Sequence, residues 1–354
     1  MQSSSGSGLP NSHQALLKNQ HLLSGRLALL GVASAHLLQE LPFSGLAMSE
    51  HAGVFHALER NQNWQACFGY EDSVLAQGNY DSIVVFLPKV RAELEMRLAL
   101  ARSLAADKAR LILVGEKKEG IAGAIKQLKA VAPQAFKADS ARHCQVWCAE
   151  AIEPASGFRA QDWLTWGVAE CAGVTVEVAG LPGIFSQNGL DTGTRSLLET
   201  LAEQPIRADR LLDFACGAGV IGAWVQAWQA VREEPVAIID GVDVQSQAVI
   251  CARQTYQRNR TGGTIYALDG LLGLEGLWPA IISNPPFHTG VKTDISMTEQ
   301  FLQGVKRHLK PGGELRLVAN SFLPYEPLIK RYIGRVERLH EDSRFTVYRA
   351  FRNN

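Results

Sequence analysis

The chain has 354 residues, 46% of them hydrophobic, and its 35 Lys and Arg balance its 35 Asp and Glu. That length suits two domains of ordinary size, each able to bury a core of its own. A formal charge of zero excludes general attraction to nucleic acid, so any phosphate contact must come from a local patch.

No apolar run approaches the roughly 20 residues of a membrane span, so no membrane partner is expected. Six cysteines, Cys67, Cys144, Cys148, Cys171, Cys216 and Cys251, show no metal-ligand spacing. They read as buried free thiols of a cytoplasmic protein, with no metal site. Cys144 and Cys148, four apart on a strand, should share one face.

The opening stretch, MQSSSGSGLPN, is rich in Ser and Gly, without the basic start and apolar core of a signal peptide. Residues 1–20 are expected to form a disordered tail. Beyond them, apolar runs read as strands: Arg26–Gly31, Ser82–Lys89, Ala109–Glu116 and His143–Glu150. A polar stretch with Pro154 and Gly157 interrupts the pattern within Ala151–Val168 and marks a domain boundary. After it, Leu181–Thr194 leads into a helix near Arg195, where backbone N–H groups suit a carboxylate and Thr192 or Thr194 suits the cap.

Further strands read at Arg210–Phe214, Val236–Val242, Thr264–Leu268, Ala280–Ser283, Glu314–Ala319 and Phe345–Ala350, with helical segments such as Ser246–Asn259 between them. Strands alternating with helices predict an α/β fold, a mostly parallel sheet with helices on both faces. Four first-half strands match four second-half strands in order, at an offset of about 200 residues. They pair Arg26–Gly31 with Arg210–Ala215, Ser82–Lys89 with Ala280–Phe287, Ala109–Glu116 with Gly313–Asn320, and His143–Glu150 with Arg344–Phe351. A duplicated domain follows: a degenerate copy over 21–155 and a catalytic copy over 168–354.

The copies differ where chemistry would sit. The second has Asp213-Phe-Ala215-Cys-Gly217-Ala-Gly219 after its first strand and Asn284-Pro285-Pro286-Phe287 after its fourth. The first has Leu30-Gly31-Val32-Ala33 and Phe86-Leu87-Pro88-Lys89 instead. Small residues at a strand-to-helix turn let the backbone approach a ligand. The preceding Asp213 favours a cationic ligand end and would repel a pyrophosphate. Asp243, at the next strand end, suits ribose hydroxyls, with Asp240 as a competitor, and Asp269 suits an adenine amino group. Ligands of open α/β sheets bind at such strand ends.

This loop resembles the first motif of class I S-adenosylmethionine-dependent methyltransferases, Asp-x-Gly-x-Gly-x-Gly, with Ala215 in place of the first glycine. Retained binding with slightly altered backbone geometry is expected there. Cofactor contacts are assigned to Asp213, Ala215, Gly217, Gly219, Asp243, Asp269 and Asn284.

The segment Asn284-Pro-Pro-Phe287-His288 resembles the Asn-Pro-Pro-aromatic motif of amino-group methyltransferases. An exocyclic amine conjugated with its ring is a poor nucleophile. Accepting both its N–H groups, on the Asn284 side-chain oxygen and the Pro285 carbonyl, favours a pyramidal nitrogen with an available lone pair. Phe287 would stack on a flipped base, and His288 is read as an ordinary loop residue. Asn284, Pro285 and Phe287 are the catalytic candidates.

Together, the Gly-Ile-Phe185-Ser186 stretch with Gly189-Leu190-Asp191, the glycine loop and Asn-Pro-Pro-Phe-His resemble the bacterial ribosomal small subunit methyltransferase C family from about Arg26 to Arg352. The resemblance implies two tandem Rossmann-like domains with seven-stranded sheets and a first copy that lacks cofactor and aids substrate binding or folding. It also implies methylation of guanine N2 in helix 34 of 16S rRNA, within the assembled 30S subunit, by a monomer.

Residues 285–354 carry twelve Lys and Arg against seven Asp and Glu, dominated by Lys306, Arg307, Lys310, Lys330, Arg331, Arg335 and Arg338. Such a patch can contact phosphate. Alternative readings are a guanine-N2 methyltransferase of 23S rRNA, a glutamine-amide protein methyltransferase, an adenine-N6 methyltransferase, and an assembly factor with a vestigial site.

Overall fold

The computed structural model describes residues 8–184, 190–285 and 291–353, with backbone alone for 291–295. The chain divides between Trp163 and Leu164 into two units. The first contains α1 (Asn11–Lys18), β1 (Leu27–Leu30), α2 (Leu37–Glu40), β2 (Gly45–Ser49), α3 (Ala52–Leu58) and β3 (Trp64–Phe68). It continues through β4 (Tyr80–Phe86), α4 (Arg91–Leu104), β5 (Ala105–Glu116), α5 (Ile121–Val131), β6 (Phe136–Ala141) and β7 (Cys144–Ala149). Its sheet has the order β3-β2-β1-β4-β5-β7-β6. The first five strands run parallel, and β7 joins β5 and β6 antiparallel.

The second unit opens with an antiparallel hairpin, β8 (Thr165–Cys171) and β9 (Val174–Gly180). Then follow α6 (Thr192–Glu203), β10 (Arg210–Phe214), α7 (Val220–Val231), β11 (Ile238–Asp243), α8 (Ser246–Asn259), β12 (Ile265–Ala267) and β13 (Trp278–Ser283). Last come α9 (Val291–His308), β14 (Leu309–Asn320), α10 (Tyr325–Tyr332), β15 (Val336–Glu341) and β16 (Phe345–Phe351). The order β12-β11-β10-β13-β14-β16-β15 repeats that of the first sheet strand for strand. All four sequence matches fall on equivalent strands, so the duplication is real.

Central strands are largely apolar because both faces are covered. In the second unit one face packs Leu212, Ile281 and Leu317 against Phe301, Leu302 and Ile329. The other packs Leu211, Ile282 and Val318 against Leu197, Trp224 and Val176 of the hairpin. All six cysteines are free and buried, and Cys144, Val146 and Cys148 share the inner face of β7.

Two expectations change. Residues 1–7 lie outside the described part, but Asn11–Lys18 is a helix, not a tail, with His13, Ala15 and Leu16 buried. Burial lowers the His13 pKa to about 4, so this histidine is a neutral core residue. The hairpin and β15 were not legible as strands. β15 is an edge strand, largely polar and exposed (VERLHE), and β16 is its only described partner.

Candidate active site

Strand order in the second sheet reverses between β10 and β13, and ligands of open α/β sheets bind in the crevice at such a reversal. Phe214 and Ser283 end these two strands side by side, and the Ser283 hydroxyl donates to the Phe214 carbonyl at 2.8 Å. The glycine loop therefore leaves one wall of the crevice and Asn284-Pro285 leaves the other.

In the loop, Ala215, Gly217 and Gly219 have φ of 56°, 53° and 79°. Ala215 thus adopts the left-handed conformation that glycine takes freely, at a strain of about 1–2 kcal/mol. Among the described residues beyond its chain neighbours, none places an atom within 4 Å of where a Gly217 Cβ would stand. At Gly219, a Cβ would lie 3.1 Å from Ala252 and Tyr256, which lets α7 start tight against α8.

Asp243 ends β11 half-buried. Its Oδ2 accepts from the Gly217 N–H at 2.9 Å and its Oδ1 from the Gln245 N–H at 2.9 Å. These two bonds fix the orientation of the carboxylate against the loop. Asp240 has another job. It is 1% exposed, and its carboxylate accepts from Arg210, Trp278 and the Thr264 N–H. Asp269 lies half-buried two residues beyond β12.

Asp213 is fully buried, and neither carboxylate oxygen has a partner at full hydrogen-bond geometry, although the Gly222 N–H approaches it. Burial first and Asp243 second push its pKa well above the ordinary carboxylate range. The Gly222 N–H pulls the other way and is outweighed. Leaving such a group unpaired costs several kcal/mol when it is ionised, so its position calls for a cation. The buried carboxylate, the glycine loop and the strand-end Asp243 together fit S-adenosylmethionine, whose amino-acid end is cationic.

Across the crevice, the Asn284 amide nitrogen donates to Thr194 Oγ1 at 2.9 Å and to Asp191 Oδ1 at 3.3 Å. An ionised carboxylate only accepts, so the NH2 end must face Asp191 and Oδ1 is left for another donor. Asp191 Oδ1 also accepts from the Thr194 N–H and is the N-cap of α6. The cap expected at Thr192 or Thr194 is therefore Asp191. Its negative charge already occupies the helix start that was expected to suit a cofactor carboxylate. Pro285 is buried. Phe185, Ser186, Gly189, Pro286, Phe287 and His288 lie outside the described residues.

Residues 175–349 match the methyltransferase small domain family, and residues 13–166 match its N-terminal domain. A Hahella chejuensis protein named ribosomal RNA small subunit methyltransferase C is 38% identical over 98% of this chain and 100% of its own length. A Pseudomonas aeruginosa protein of the same name is 40% identical over 96% of this chain and 98% of its own. The chain belongs to the ribosomal RNA small subunit methyltransferase C family. Among solved structures, the T. thermophilus 16S rRNA N2 G1207 methyltransferase, in complex with AdoMet and guanosine, has the same fold. Its TM-score is 0.81 at 23% identity, covering 97% of this chain and 92% of that one.

The first unit of this family member carries something different at the equivalent place. By register, Leu30 and Val85 correspond to Phe214 and Ser283, so Gly31 stands for Ala215 and Phe86 for Asn284. Arg97, 4% exposed, fills the position. Its guanidinium donates to the Phe86 carbonyl, the Tyr70 hydroxyl, Glu50 and Glu93. A Cβ on Gly31 would lie 2.2 Å from Arg97 Nη1. The His13 ring rests on Phe86 at 4.4 Å.

The basic residues are also redistributed. Arg338 is held by Glu326 and Glu341, and Arg331 lies 3.9 Å from Glu299. Lys306, Arg307 and Lys310 flank Leu309, which pairs with Trp278 at the amino end of β13. That is the edge of the sheet opposite Asn284. Lys330 and Arg335 make no ion pair among the described residues, but the patch as a whole does not surround the crevice.

Proposed function

We propose that the second unit transfers a methyl group from S-adenosylmethionine to the exocyclic N2 of a guanosine in 16S rRNA, in helix 34 of the assembled 30S subunit. One observation supports the reading: a buried carboxylate without a full hydrogen bond and an amide whose oxygen accepts none among the described residues flank one crevice at the strand reversal. When bound, the cofactor supplies an electrophilic methyl group on a sulfonium centre. Asp213 holds the cationic end, Asp243 accepts ribose hydroxyls, Asp269 accepts from the adenine amine, and residues 215–219 give the backbone room for close approach. Asn284 Oδ1 and the Pro285 carbonyl accept the two N–H groups of the target amine, and Phe287 stacks on the base. No side chain has to remove a proton before transfer, because orientation is the main demand on the protein.

The first unit, in this reading, takes no cofactor, since Arg97 and its carboxylates occupy the corresponding place; it serves substrate binding or folding. The protein works as a monomer in the cytoplasm, where its substrate is. The test is nucleoside analysis of 16S rRNA from a strain lacking the protein. Loss of one N2-methylguanosine, restored by the purified protein with S-adenosylmethionine and 30S particles, is the expected result. An unchanged modification pattern would refute the assignment.

A further inference from the structure

Two apolar side chains of the second unit are three-quarters exposed, Leu272 and Phe322. Phe322 is on the acceptor side of the crevice. β14 lies directly beside β13 with Leu317 opposite Ser283, and it runs three residues further, to Asn320. Phe322 comes two residues after that, beyond the carboxyl edge from which Asn284 also emerges.

Its backbone is held on both sides. The Ser321 N–H donates to the Arg344 carbonyl at 3.0 Å, and the Ser321 hydroxyl donates to the Asp342 carbonyl at 2.9 Å. Leu323 and Tyr325 are buried in the core, and the Leu323 N–H returns to the Asn320 carbonyl. A phenylalanine presented to water on so firmly anchored a turn forgoes the gain of burial that its neighbours enjoy.

A chain of contacts ties this turn to the acceptor residue. Asn284 is bonded to Thr194, the adjacent Gly193 packs on the Phe345 ring, and Phe345 pairs with Asn320. Arg344, exposed, lies in the turn just before β16 whose carbonyls pin Ser321; its guanidinium stands 5.3 Å from the centre of the Phe345 ring and forms no ion pair among the described residues. The nearby Asp342 carboxylate is ionised but is engaged by other donors and forms no ion pair with it among the described residues. That group accepts from the Phe345 and Arg344 N–H groups and from His340, which hold its pKa at about 2.

We propose that Phe322 and Arg344 form a docking step for the RNA strand next to the target guanosine, Phe322 stacking on an unpaired base and Arg344 meeting its phosphate. An exposed aromatic ring on a turn hydrogen-bonded to Arg344, whose guanidinium stands over the Phe345 ring without an ion pair among the described residues, is a combination that single-stranded nucleic acid takes. The proposed RNA substrate favours a nucleic-acid strand over a protein as the occupant. The inference rests on the proposed RNA substrate and extends it to residues outside the crevice.

The test measures methylation of 30S particles from a strain lacking the protein, and binding of a fluorescein-labelled single-stranded oligoribonucleotide, for wild type, Phe322→Ala, Phe322→Leu, Phe322→Trp and Arg344→Ala. Phe322→Ala should raise KM for particles, and weaken oligonucleotide binding, by about 5- to 150-fold, the range expected for one lost stack. Affinity for S-adenosylmethionine should not change. Phe322→Trp should restore KM, and Phe322→Leu should not. Arg344→Ala should reduce the slope of log affinity against log salt by about 0.7, the value for one phosphate contact on a single strand.

Wild-type KM in Phe322→Ala, or full rescue by Phe322→Leu, would overturn the inference. So would a changed oligomeric state of Phe322→Ala with RNA binding intact, which would assign the ring to a protein contact. If wild type fails to methylate particles while Phe322→Ala still weakens oligonucleotide binding, the docking step stands and the proposed substrate falls.

Discussion

Replacing Asp213 by Asn should separate cofactor binding from stability in a direction opposite to that of most core substitutions. The carboxylate is fully buried, with the Gly222 N–H approaching but no partner at full hydrogen-bond geometry on either oxygen. An unpartnered amide still costs about 1–3 kcal/mol, whereas an ionised carboxylate in the same place costs several. Without cofactor, the variant should therefore be at least as stable as wild type. Each kcal/mol gained should raise the midpoint of its unit by about 2–4 °C.

With cofactor the balance inverts, because the ammonium loses its buried counter-charge. Removing one partner of a buried pair costs about 3–5 kcal/mol, or roughly a 100- to 5,000-fold weaker Kd. The sign of the pH dependence follows from the raised pKa. Between the unfolded and the folded pKa, the folded state keeps a proton that the unfolded chain has released. Stability of the cofactor-free protein thus falls as pH rises through that window and is flat above it. Cofactor binding needs the ionised form, so it expels the proton, and affinity rises with pH until the folded pKa is passed.

Titration calorimetry and thermal melting, each with and without S-adenosylmethionine across pH, measure all of these effects. A variant that melts earlier without cofactor would show that Asp213 has a structural partner. Wild-type affinity in the variant would refute its role, and tight residual binding would point to the first unit.

Asp243→Ala should weaken cofactor binding and also loosen the loop, since Gly217 loses its acceptor; equilibrium dialysis showing unchanged affinity would remove Asp243 from the site. Asn284→Ala should nearly abolish turnover with little change in cofactor Kd, and near-normal turnover would refute its role at the amine. Thr194→Val removes the shorter of the two bonds from the Asn284 amide nitrogen and should lower kcat about 10-fold while leaving cofactor Kd unchanged, a split that steady-state kinetics can read. Arg97→Met leaves Glu50 and Glu93 without their shared cation, so urea unfolding should show the first unit destabilised by about 3–5 kcal/mol; unchanged stability would mean that the cluster contributes nothing net.

What the sequence alone determined is local or repetitive. Strands covered on both faces are continuous apolar runs, so Arg210–Phe214 and Ala280–Ser283 announce themselves, and their echoes in the first half expose the duplication. The acid-glycine turn and Asn284-Pro285 follow because a backbone that must turn sharply at a strand end needs particular residues there. An exposed edge strand such as β15 has little apolar demand on its side chains, and so leaves little trace.

Only the tertiary structure decided how side chains distant in sequence share their bonds. Asp240 and Asp243 are three residues apart, yet folding gives one to Arg210 and Trp278 and sets the other at the mouth of the crevice. Thr194 orients Asn284 across 90 residues of sequence, and no local pattern encodes that pair. Net charge over a segment likewise says nothing about which cations are already paired or which sheet edge they line. Lys306 and Arg307 are at the far edge, while Arg344 is beside the anchored Phe322 turn. Backbone periodicity is written in neighbours, but hydrogen-bond partnership and burial of charge depend on contacts that exist only once the sheet has closed the distance.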